Sequence, residues 1–232
     1  MFIYGGEDIK EGKYNDLQML NLENFIMHEG ADLEDHEIDE AEKDQRFCWQ
    51  KIDQKGDAPG HLSHHKACIY AQCMYVFGGV NNKGENNNHM YQLDMNSYKW
   101  IKKDTQGHPP AGRDDFGMCI DGDNLYVFGG FVSGVRHNDL YCYSFTSNKW
   151  ENLFANHPYH ELEESKDFPV PRSGLAMGAH GPSIIVFGGR NDFNDMLEDT
   201  WEFNISTRTW SKIVGDNHPV GRSSHTLTLD GD

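Results

Sequence analysis

The sequence predicts an all-β protein in which four similar units follow one another along the chain. Glycine accounts for 24 of the 232 residues and aromatic residues for 12%, a combination that favours short strands joined by tight turns. An apolar run that ends in two glycines recurs four times, at residues 1–6, 74–79, 125–130 and 184–189. Repetition at a nearly constant period is typical of folds in which equivalent units stack side by side.

Other residues recur in register with these glycine pairs. In the second, third and fourth units, the first glycine precedes a tryptophan by 22, 21 and 22 residues. Counting the first unit, the tryptophans at this position are Trp49, Trp100, Trp150 and Trp210, and an aromatic residue stands nine positions before the last three, at Tyr91, Tyr141 and Trp201. Since each such ring buries about 150–250 Å², we interpret these residues as packing between units. A Pro-x-x-Arg element precedes the next strand at 110–113, 169–172 and 219–222.

The combined motif resembles that of the kelch-repeat family. The resemblance covers the whole chain in four copies, and it implies a kelch-type β-propeller in which each repeat forms a four-stranded antiparallel blade. We label the strands of a blade a to d: strand a follows the Pro-x-x-Arg turn, strand b ends at the glycine pair, and strand d begins at the tryptophan. The repeats are expected at 1–73, 74–124, 125–183 and 184–232.

The number of repeats leaves two arrangements open. In a closed four-unit ring, the last strand a would pair with the first strand b. In the other arrangement the four repeats form an arc of a larger ring, which we favour because propellers of this family usually have more than four blades. An arc exposes strand edges and an apolar blade face, and such surfaces favour pairing with another molecule.

Charge and composition argue against several classes of partner. The formal net charge is −17 at pH 7, which would repel the phosphates of nucleic acid and of anionic membranes. No apolar run approaches the roughly 20 residues that span a bilayer, and the N-terminus lacks the features of a secretory signal. The five cysteines include no Cys-x-x-Cys pair. We therefore expect a cytoplasmic protein with reduced thiols and consider an association with the cytoskeleton.

Two of the repeats contain insertions. The first, at about 23–46, holds ten acidic and two basic residues; it is interpreted as a solvated acidic loop or, alternatively, as a docking arm for a basic partner. The second, at about 152–167, contains His157, His160 and Glu161. Their spacing is only loosely typical of metal ligands, so a surface loop is favoured. We expect no metal and no cofactor.

Most of the arginines fall on one predicted face of the propeller. In an antiparallel blade the b–c and d–a connections emerge on the same side. Five of the seven arginines lie on these connections: Arg113, Arg136, Arg172, Arg190 and Arg222. Ser173 and Ser223 directly follow two of them, and Phe131 directly follows its glycine pair. We predict all of these residues as the partner-binding set.

The family resemblance gives part of this set a more specific role. In related propellers, the turn arginine and the following serine line a central pocket that binds carboxylates of a partner peptide. The resemblance implies this role for Arg113, Arg172, Ser173, Arg222 and Ser223. A guanidinium group donates paired, charge-assisted hydrogen bonds to a carboxylate. In the alternative interpretation, each turn arginine donates to backbone carbonyls between blades; in the first repeat Leu62 stands at the arginine position.

Recognisable catalytic motifs are absent from the sequence. It contains no P-loop, no Gly-x-Ser-x-Gly, no His-Glu-x-x-His and no dinucleotide fingerprint. We therefore predict a non-enzymatic protein–protein interaction module that binds an acidic or C-terminal peptide through its arginine-bearing face. Three alternatives stay open: a structural subunit of a cytoskeletal or ciliary assembly, a substrate receptor for a ubiquitin ligase and, less favoured, a kelch-fold enzyme of the mutarotase or lyase type.

Overall fold

The computed structural model describes residues 1–21, 48–157 and 167–228. In these three stretches the regular elements are β-strands, which form four successive sheets and one small hairpin. The acidic insertion predicted at 23–46 lies outside the described residues, and so does most of the insertion predicted at 152–167. No helix able to cross a membrane occurs in the described stretches.

The four sheets are numbered here as blades I to IV. Blade I contains β1 (Phe2–Tyr4), β4 (Leu17–Leu20) and β5 (Trp49–Ile52), and its b–c connection carries a hairpin of β2 (Glu7–Asp8) and β3 (Gly12–Lys13). Blade II contains β6 (Lys55–Gly56), β7 (Ser63–Tyr70), β8 (Cys73–Val80), β9 (Tyr91–Asp94) and β10 (Lys99–Lys102). Blade III contains β11 (Gln106–Gly107), β12 (Gly117–Asp121), β13 (Asn124–Val132), β14 (Val135–Ser144) and β15 (Lys149–Phe154). Blade IV contains β16 (Ala176–His180), β17 (Ser183–Phe187), β18 (Thr200–Asn204) and β19 (Thr209–Ile213).

The strand order confirms the predicted all-β blade architecture. Strands a, b, c and d lie side by side and antiparallel in blades II, III and IV. Two blades also contain a short fifth strand, because the d–a connection that enters the blade first pairs parallel to strand d of that blade, as β6 beside β10 and β11 beside β15. Among the described residues, blade I has three strands, in the order β1-β4-β5.

The glycine pairs allow each blade to approach the turn that enters the next one. Gly78 has φ +71°, and a Cβ added there would lie 2.3 Å from the Phe116 ring and 2.7 Å from the Arg113 carbonyl oxygen. Its neighbour Gly79 donates a backbone hydrogen bond to that same carbonyl at 2.8 Å. Only glycine accommodates both the left-handed backbone and the close contact.

The aromatic residues at fixed spacing form the cores between blades. The indole of each strand d packs on the strand-b aromatic of the preceding blade, with centroid distances of 4.9 Å for Trp100–Tyr4, 5.3 Å for Trp150–Phe77 and 5.0 Å for Trp210–Phe128. These three tryptophans are buried, whereas Trp49 in blade I is 45% exposed. The indole of Trp49 therefore lacks the cover that a preceding blade gives the others.

In the part of the chain that the structure describes, the four blades form an open arc. Among the described strands, β1 has β4 as its only neighbour. Residues 223–228, which follow the last Pro-x-x-Arg turn, form no strand. The pairing that would close a four-unit ring is therefore not made by the described residues, in agreement with the favoured arc.

Candidate functional site

Two of the predicted binding arginines lie in the interior. Arg113 is 0% exposed. One terminal nitrogen donates to the Gly129 carbonyl at 2.8 Å and to Asp139 Oδ1 at 2.7 Å, and the other donates to Asp139 Oδ2 at 3.1 Å. Its Nε donates to the Ala111 carbonyl at 3.1 Å. The guanidinium group thus ties the d–a turn to the glycine pair and to strand c of the same blade.

Arg172 repeats this arrangement one blade further on. It too is 0% exposed, and its terminal nitrogens bind both carboxylate oxygens of Asp199 at 2.7 and 2.9 Å. It also donates to the carbonyls of Gly188 and Val170, both at 3.1 Å. Neither Arg113 nor Arg172 has a donor directed at solvent, so the structural interpretation of the turn arginine accounts for both.

The pKa values of both aspartate partners lie below the ordinary value despite their burial. Burial by itself would raise the pKa of Asp139, but hydrogen bonds from His137 and Arg113 and the arginine charge outweigh it and lower the pKa. In blade II both members of the pair are replaced together: Leu62 holds the arginine position, and His89, two residues before Tyr91, holds the position of Asp139. Leu62 is buried in an apolar cluster, so blade II uses hydrophobic packing where blades III and IV use an ion pair.

The arginines of the b–c connections contact the predicted serines; the Arg190 side chain is exposed, whereas the Arg136 side chain is 13% exposed. Arg136 Nε donates to Ser173 Oγ at 3.0 Å, and Arg190 Nε donates to Ser223 Oγ at 3.1 Å. Each bond runs from one blade to the turn that follows it, although the two arginines differ in position: Arg190 directly follows its glycine pair, as Phe131 does in blade III, whereas Arg136 lies opposite Phe131 on strand c. The structure thereby brings together four of the residues that the sequence singled out.

The two Arg–Ser pairs differ in how much of the guanidinium group is occupied. Arg136 also donates to Asn194 Oδ1 at 2.9 Å, lies 3.7 Å from a carboxylate oxygen of Asp192, and stands over the Phe131 ring at 5.6 Å from its centroid. Arg190 is exposed, and none of the described carboxylates lies within 4.0 Å of it. Arg190 is therefore the more available of the two.

Arg222 retains one contact of the buried arginines. Its Nε donates to the Val220 carbonyl at 3.0 Å. Arg113 and Arg172 likewise donate from Nε to the carbonyl of the residue two positions before them. The side chain is exposed, because the described residues include no blade that would follow blade IV and cover it. Its position in the repeat is nevertheless that of the two buried arginines.

An acidic cluster, which the sequence analysis missed, lies on the same face. Both ring nitrogens of His64 face carboxylates: Nδ1 lies 3.1 Å from Asp115 Oδ1, and Nε2 lies 2.9 Å from Glu7 Oε1. A neutral imidazole has one N–H, whereas the protonated ring can donate to both carboxylates. The cluster joins blade I to the turns that enter blades II and III. Its one sequence signal is that His64 and Asp115 both stand two residues after the arginine position.

The pKa values of this cluster reflect the mutual hydrogen bonds. Burial lowers the pKa of His64, but the hydrogen bonds to Glu7 and Asp115 outweigh burial and raise it above its ordinary value. Hydrogen bonds from His64 and Lys13 lower the pKa of Glu7 to about 2. The face that carries the b–c and d–a connections has an acidic sector at Glu7 and Asp115 and a basic sector at Arg136 and Arg190.

We expect the stabilisation that His64 provides to depend on pH. A raised folded-state pKa of His64 stabilises the protein below the unfolded value of about 6.5, and this stabilisation is lost as the pH rises through the folded value. The lowered pKa of Glu7 stabilises the folded protein above about pH 4.5, and this stabilisation is lost as the pH falls toward 2. The stability difference between wild type and His64→Gln should therefore be largest between pH 4.5 and 6.5.

Urea unfolding of both proteins from pH 4 to pH 8 measures this difference. Because His64 and Glu7 are nearly half exposed, the effect should stay below about 1 kcal/mol. A difference that increases from pH 6 to pH 8 would contradict a protonated His64.

The fold and the arrangement of its turns define a kelch-type β-propeller protein. The family model described as the KLHDC2/KLHL20/DRC7 Kelch-repeats domain matches residues 41–232. The chain therefore belongs to the kelch-repeat family, which confirms the resemblance found in the sequence.

Similar proteins come from several organisms. The chain is 30% identical over 207 residues to Kelch domain-containing protein 2 of Bos taurus. The aligned region covers 78% of this chain and 48% of that protein. It is 31% identical over 166 residues to Kelch domain-containing protein 3 of Homo sapiens, and this alignment covers 68% of this chain and 42% of that protein. It is 24% identical over 192 residues to the dynein alpha chain of the flagellar outer arm of Chlamydomonas reinhardtii, and this alignment covers 78% of this chain and 4% of that protein. The chain spans about half, or less, of the length of these relatives.

Proposed function

We propose that this chain is a non-enzymatic protein-interaction module that binds an acidic or C-terminal peptide at the Arg–Ser pairs of blades III and IV. The observation that carries the proposal is the state of Arg190. Ser223 accepts a hydrogen bond from its Nε at 3.1 Å and so orients the group, while no described residue accepts from its two terminal nitrogens. A guanidinium group held in this way can donate two parallel hydrogen bonds to one carboxylate.

The neighbouring pair extends the same site. Arg136 adds a second positive charge, fixed by Ser173 and Asn194, and Phe131 supplies an apolar surface beside it. In an acidic body, a local basic sector attracts anionic groups of a ligand. The acidic sector at Glu7 and Asp115 adjoins these residues, since the Asp115 carbonyl accepts a hydrogen bond at 2.7 Å from the backbone of Gly174, the residue after Ser173.

The turn arginines act in this proposal as positioning residues. Arg113 and Arg172 are engaged by buried aspartates, and Arg222 shares their position in the repeat. Arg172 holds the turn on which Ser173 stands, and Ser173 in turn holds Arg136. The proposed contact set is therefore Arg136, Ser173, Arg190, Ser223 and Phe131.

Kelch-family membership supports protein binding in general, and the peptide class is our proposal. A second candidate function, a structural role in a ciliary assembly, is favoured by the similarity to a flagellar dynein chain. In that case the arginine sector would contact a fixed neighbour in the assembly.

An array of peptides with free C-termini, duplicated with amidated C-termini, tests the proposal. We expect binding to favour acidic peptides with free carboxylates. For the best binder, Arg190→Ala should weaken the affinity about tenfold or more, because a charged hydrogen-bonding pair is lost. Fluorescence polarisation measures the affinity.

A matched control is available on the opposite face. Arg208 is exposed and pairs with Glu151 at 2.7 Å, so Arg208→Ala removes the same charge away from the site and should leave the affinity unchanged. Equal binding of amidated and free peptides without any acidic preference, or unchanged affinity of Arg190→Ala, would contradict the proposal.

A further inference from the structure

A short fifth strand, β6, covers the outer strand of blade II. Lys55 N donates to the Tyr98 carbonyl at 3.0 Å, and Asp57 N donates to the Trp100 carbonyl at 3.1 Å. The side-chain oxygen of Gln54, the residue before β6, accepts a hydrogen bond from Trp100 Nε1 at 2.7 Å. The segment 54–57 therefore satisfies two carbonyls of the outer edge and the indole N–H that lies beside it.

Blade III repeats the backbone part of this arrangement with β11. Gln106 N donates to the Asn148 carbonyl at 2.9 Å, and His108 N donates to the Trp150 carbonyl at 3.4 Å. The two donors are again separated by one residue, so the segments that cover the two blades have the same backbone pattern.

The residue between the two donors is a glycine in both blades. Gly56 has φ +76° and Gly107 has φ +82°. A Cβ on either glycine would lie 2.3 Å from the carbonyl oxygen of the tryptophan that it pairs with. A segment that covers this edge in the same way therefore needs glycine at this position.

Blade IV has the same outer edge without such a segment. Among the described strands, β19 has β18 as its only neighbour, and no described residue outside β18 donates to the carbonyl of Arg208 or Trp210. These two residues hold the positions of Tyr98 and Trp100. Trp210 is 8% exposed, and its Nε1 is buried with no hydrogen-bond partner among the described residues. The donor that Gln54 satisfies in blade II thus lacks an acceptor in blade IV, which is unfavourable for a buried group.

The residues of this chain that correspond to the covering segment lie elsewhere. Segments 54–56 and 105–107 stand five to seven residues after Trp49 and Trp100, so the corresponding residues after Trp150 are 155–157. Two of them contact strand c of blade III: Asn138 N donates to Asn156 Oδ1 at 3.0 Å, and His157 N donates to Asn138 Oδ1 at 2.7 Å. Residues 155–157 also contain no glycine.

The residue after the glycine has a charged counterpart on the outer strand. In blade II, Asp57 and Lys102 line one cavity, and Lys212 holds the position of Lys102 in blade IV. The charged and titratable residues that line the corresponding cavity of about 250 Å³ are Glu198, Asp199, Lys212 and His218. Asp199 is already paired with Arg172, and no described carboxylate lies within 4.0 Å of the Lys212 ammonium group.

We propose that the outer edge of β19 binds an extended segment of a partner protein with the pattern of residues 54–57: glutamine, any residue, glycine and an acidic residue. The segment adds as a parallel fifth strand. Its backbone donates to the carbonyls of Arg208 and Trp210, its glutamine accepts from Trp210 Nε1, and its carboxylate pairs with Lys212. In strand addition the main chain supplies affinity and the side chains supply selectivity. This surface is separate from the Arg–Ser pairs.

A peptide with the sequence of residues 53–58, Asp-Gln-Lys-Gly-Asp-Ala, is the probe. It is acetylated and amidated, so it has no terminal carboxylate. The 232-residue chain is labelled with nitrogen-15 at its tryptophans, and the Trp210 indole signal is assigned by its absence from Trp210→Phe. We expect a saturable downfield shift of that signal alone, with a Kd of about 0.1–1 mM because the segment is short.

Two peptide variants and one pair of protein variants test the individual contacts. The Gly56→Ala peptide should not bind, because its Cβ would meet the Trp210 carbonyl. The Gln54→Leu peptide should bind about tenfold more weakly, since the indole N–H stays unpaired. Lys212→Gln should weaken binding about threefold, an effect typical of an exposed ion pair. The matched control Lys102→Gln changes the same position in blade II, which β6 covers, and should have no effect.

Three results would overturn the proposal. One is the absence of any shift of the Trp210 indole signal at about 5 mM peptide, well above the expected Kd. Another is equal binding of the Gly56→Ala peptide. The third is an equal shift of several indole signals, which would indicate contact at other surfaces. Since Arg190→Ala leaves this edge unchanged, loss of peptide binding at the Arg–Ser pairs and loss of binding at β19 are distinguishable.

Discussion

Replacing Arg113 with leucine is expected to lower the free energy of unfolding by about 3–5 kcal/mol at pH 7. The side chain is 0% exposed and makes four hydrogen bonds, two of them to Asp139. Without the arginine, the Asp139 carboxylate remains buried with no strong cationic partner, and the Gly129 carbonyl loses its donor. Urea denaturation followed by circular dichroism measures the loss.

The chain itself suggests the matched variant. Blade II has Leu62 and His89 at the two positions of the ion pair, so Arg113→Leu combined with Asp139→His copies a natural blade of this protein. We expect the double variant to recover most of the lost stability, because replacing both members of a buried pair costs far less than removing one. The single variant should also lose less stability at pH 5 than at pH 7, since burial then raises the pKa of Asp139 and protonation relieves the buried charge.

Two results would contradict this account of the turn arginine. One is a single variant within about 1 kcal/mol of the wild type, which would place the stabilisation elsewhere. The other is a double variant as unstable as the single one, which would show that the arginine acts mainly through the backbone carbonyls of Gly129 and Ala111.

The fold was predictable because its signals are local and repeated. Gly78 and its equivalents must be glycine for a steric reason that holds in every copy, and the tryptophans follow at nearly constant spacing because each fills the same gap between blades. Whether the side chain of a turn arginine points into the blade or toward a ligand was not predictable in this way. It depends on Asp139 and Asp199, which lie 26 and 27 residues later in the chain. The joint loss of arginine and aspartate in blade II is the sequence signal that links them.

The candidate site was predictable only in part for a related reason. The assignment of the b–c and d–a connections to one side of the propeller placed Arg136, Arg190, Ser173 and Ser223 on one face. Which arginine contacts which serine is decided by the packing of one blade on the next. The acidic cluster depends on three blades at once, since Glu7, His64 and Asp115 are far apart in sequence. The sequence therefore indicated the face, and the packing between blades determines how its charges are arranged.

Replacing Trp150 with alanine is expected to cost about 3–5 kcal/mol of stability, the usual range for a large buried aromatic residue. The indole is 1% exposed and contacts both Phe77 and Tyr143, so its removal leaves a cavity between blades II and III. The same change at Trp49 should cost about 1 kcal/mol or less in dilute solution, because that indole is already 45% exposed.

The contrast between these two variants tests whether the tryptophans act between blades or within them. Both residues begin the same strand of their blade, so a role within the blade predicts similar losses from Trp49→Ala and Trp150→Ala. A role between blades predicts the large difference, because only Trp150 has a preceding blade beneath it among the described residues. Urea denaturation of both variants separates the two roles, and equal losses would contradict the packing between blades.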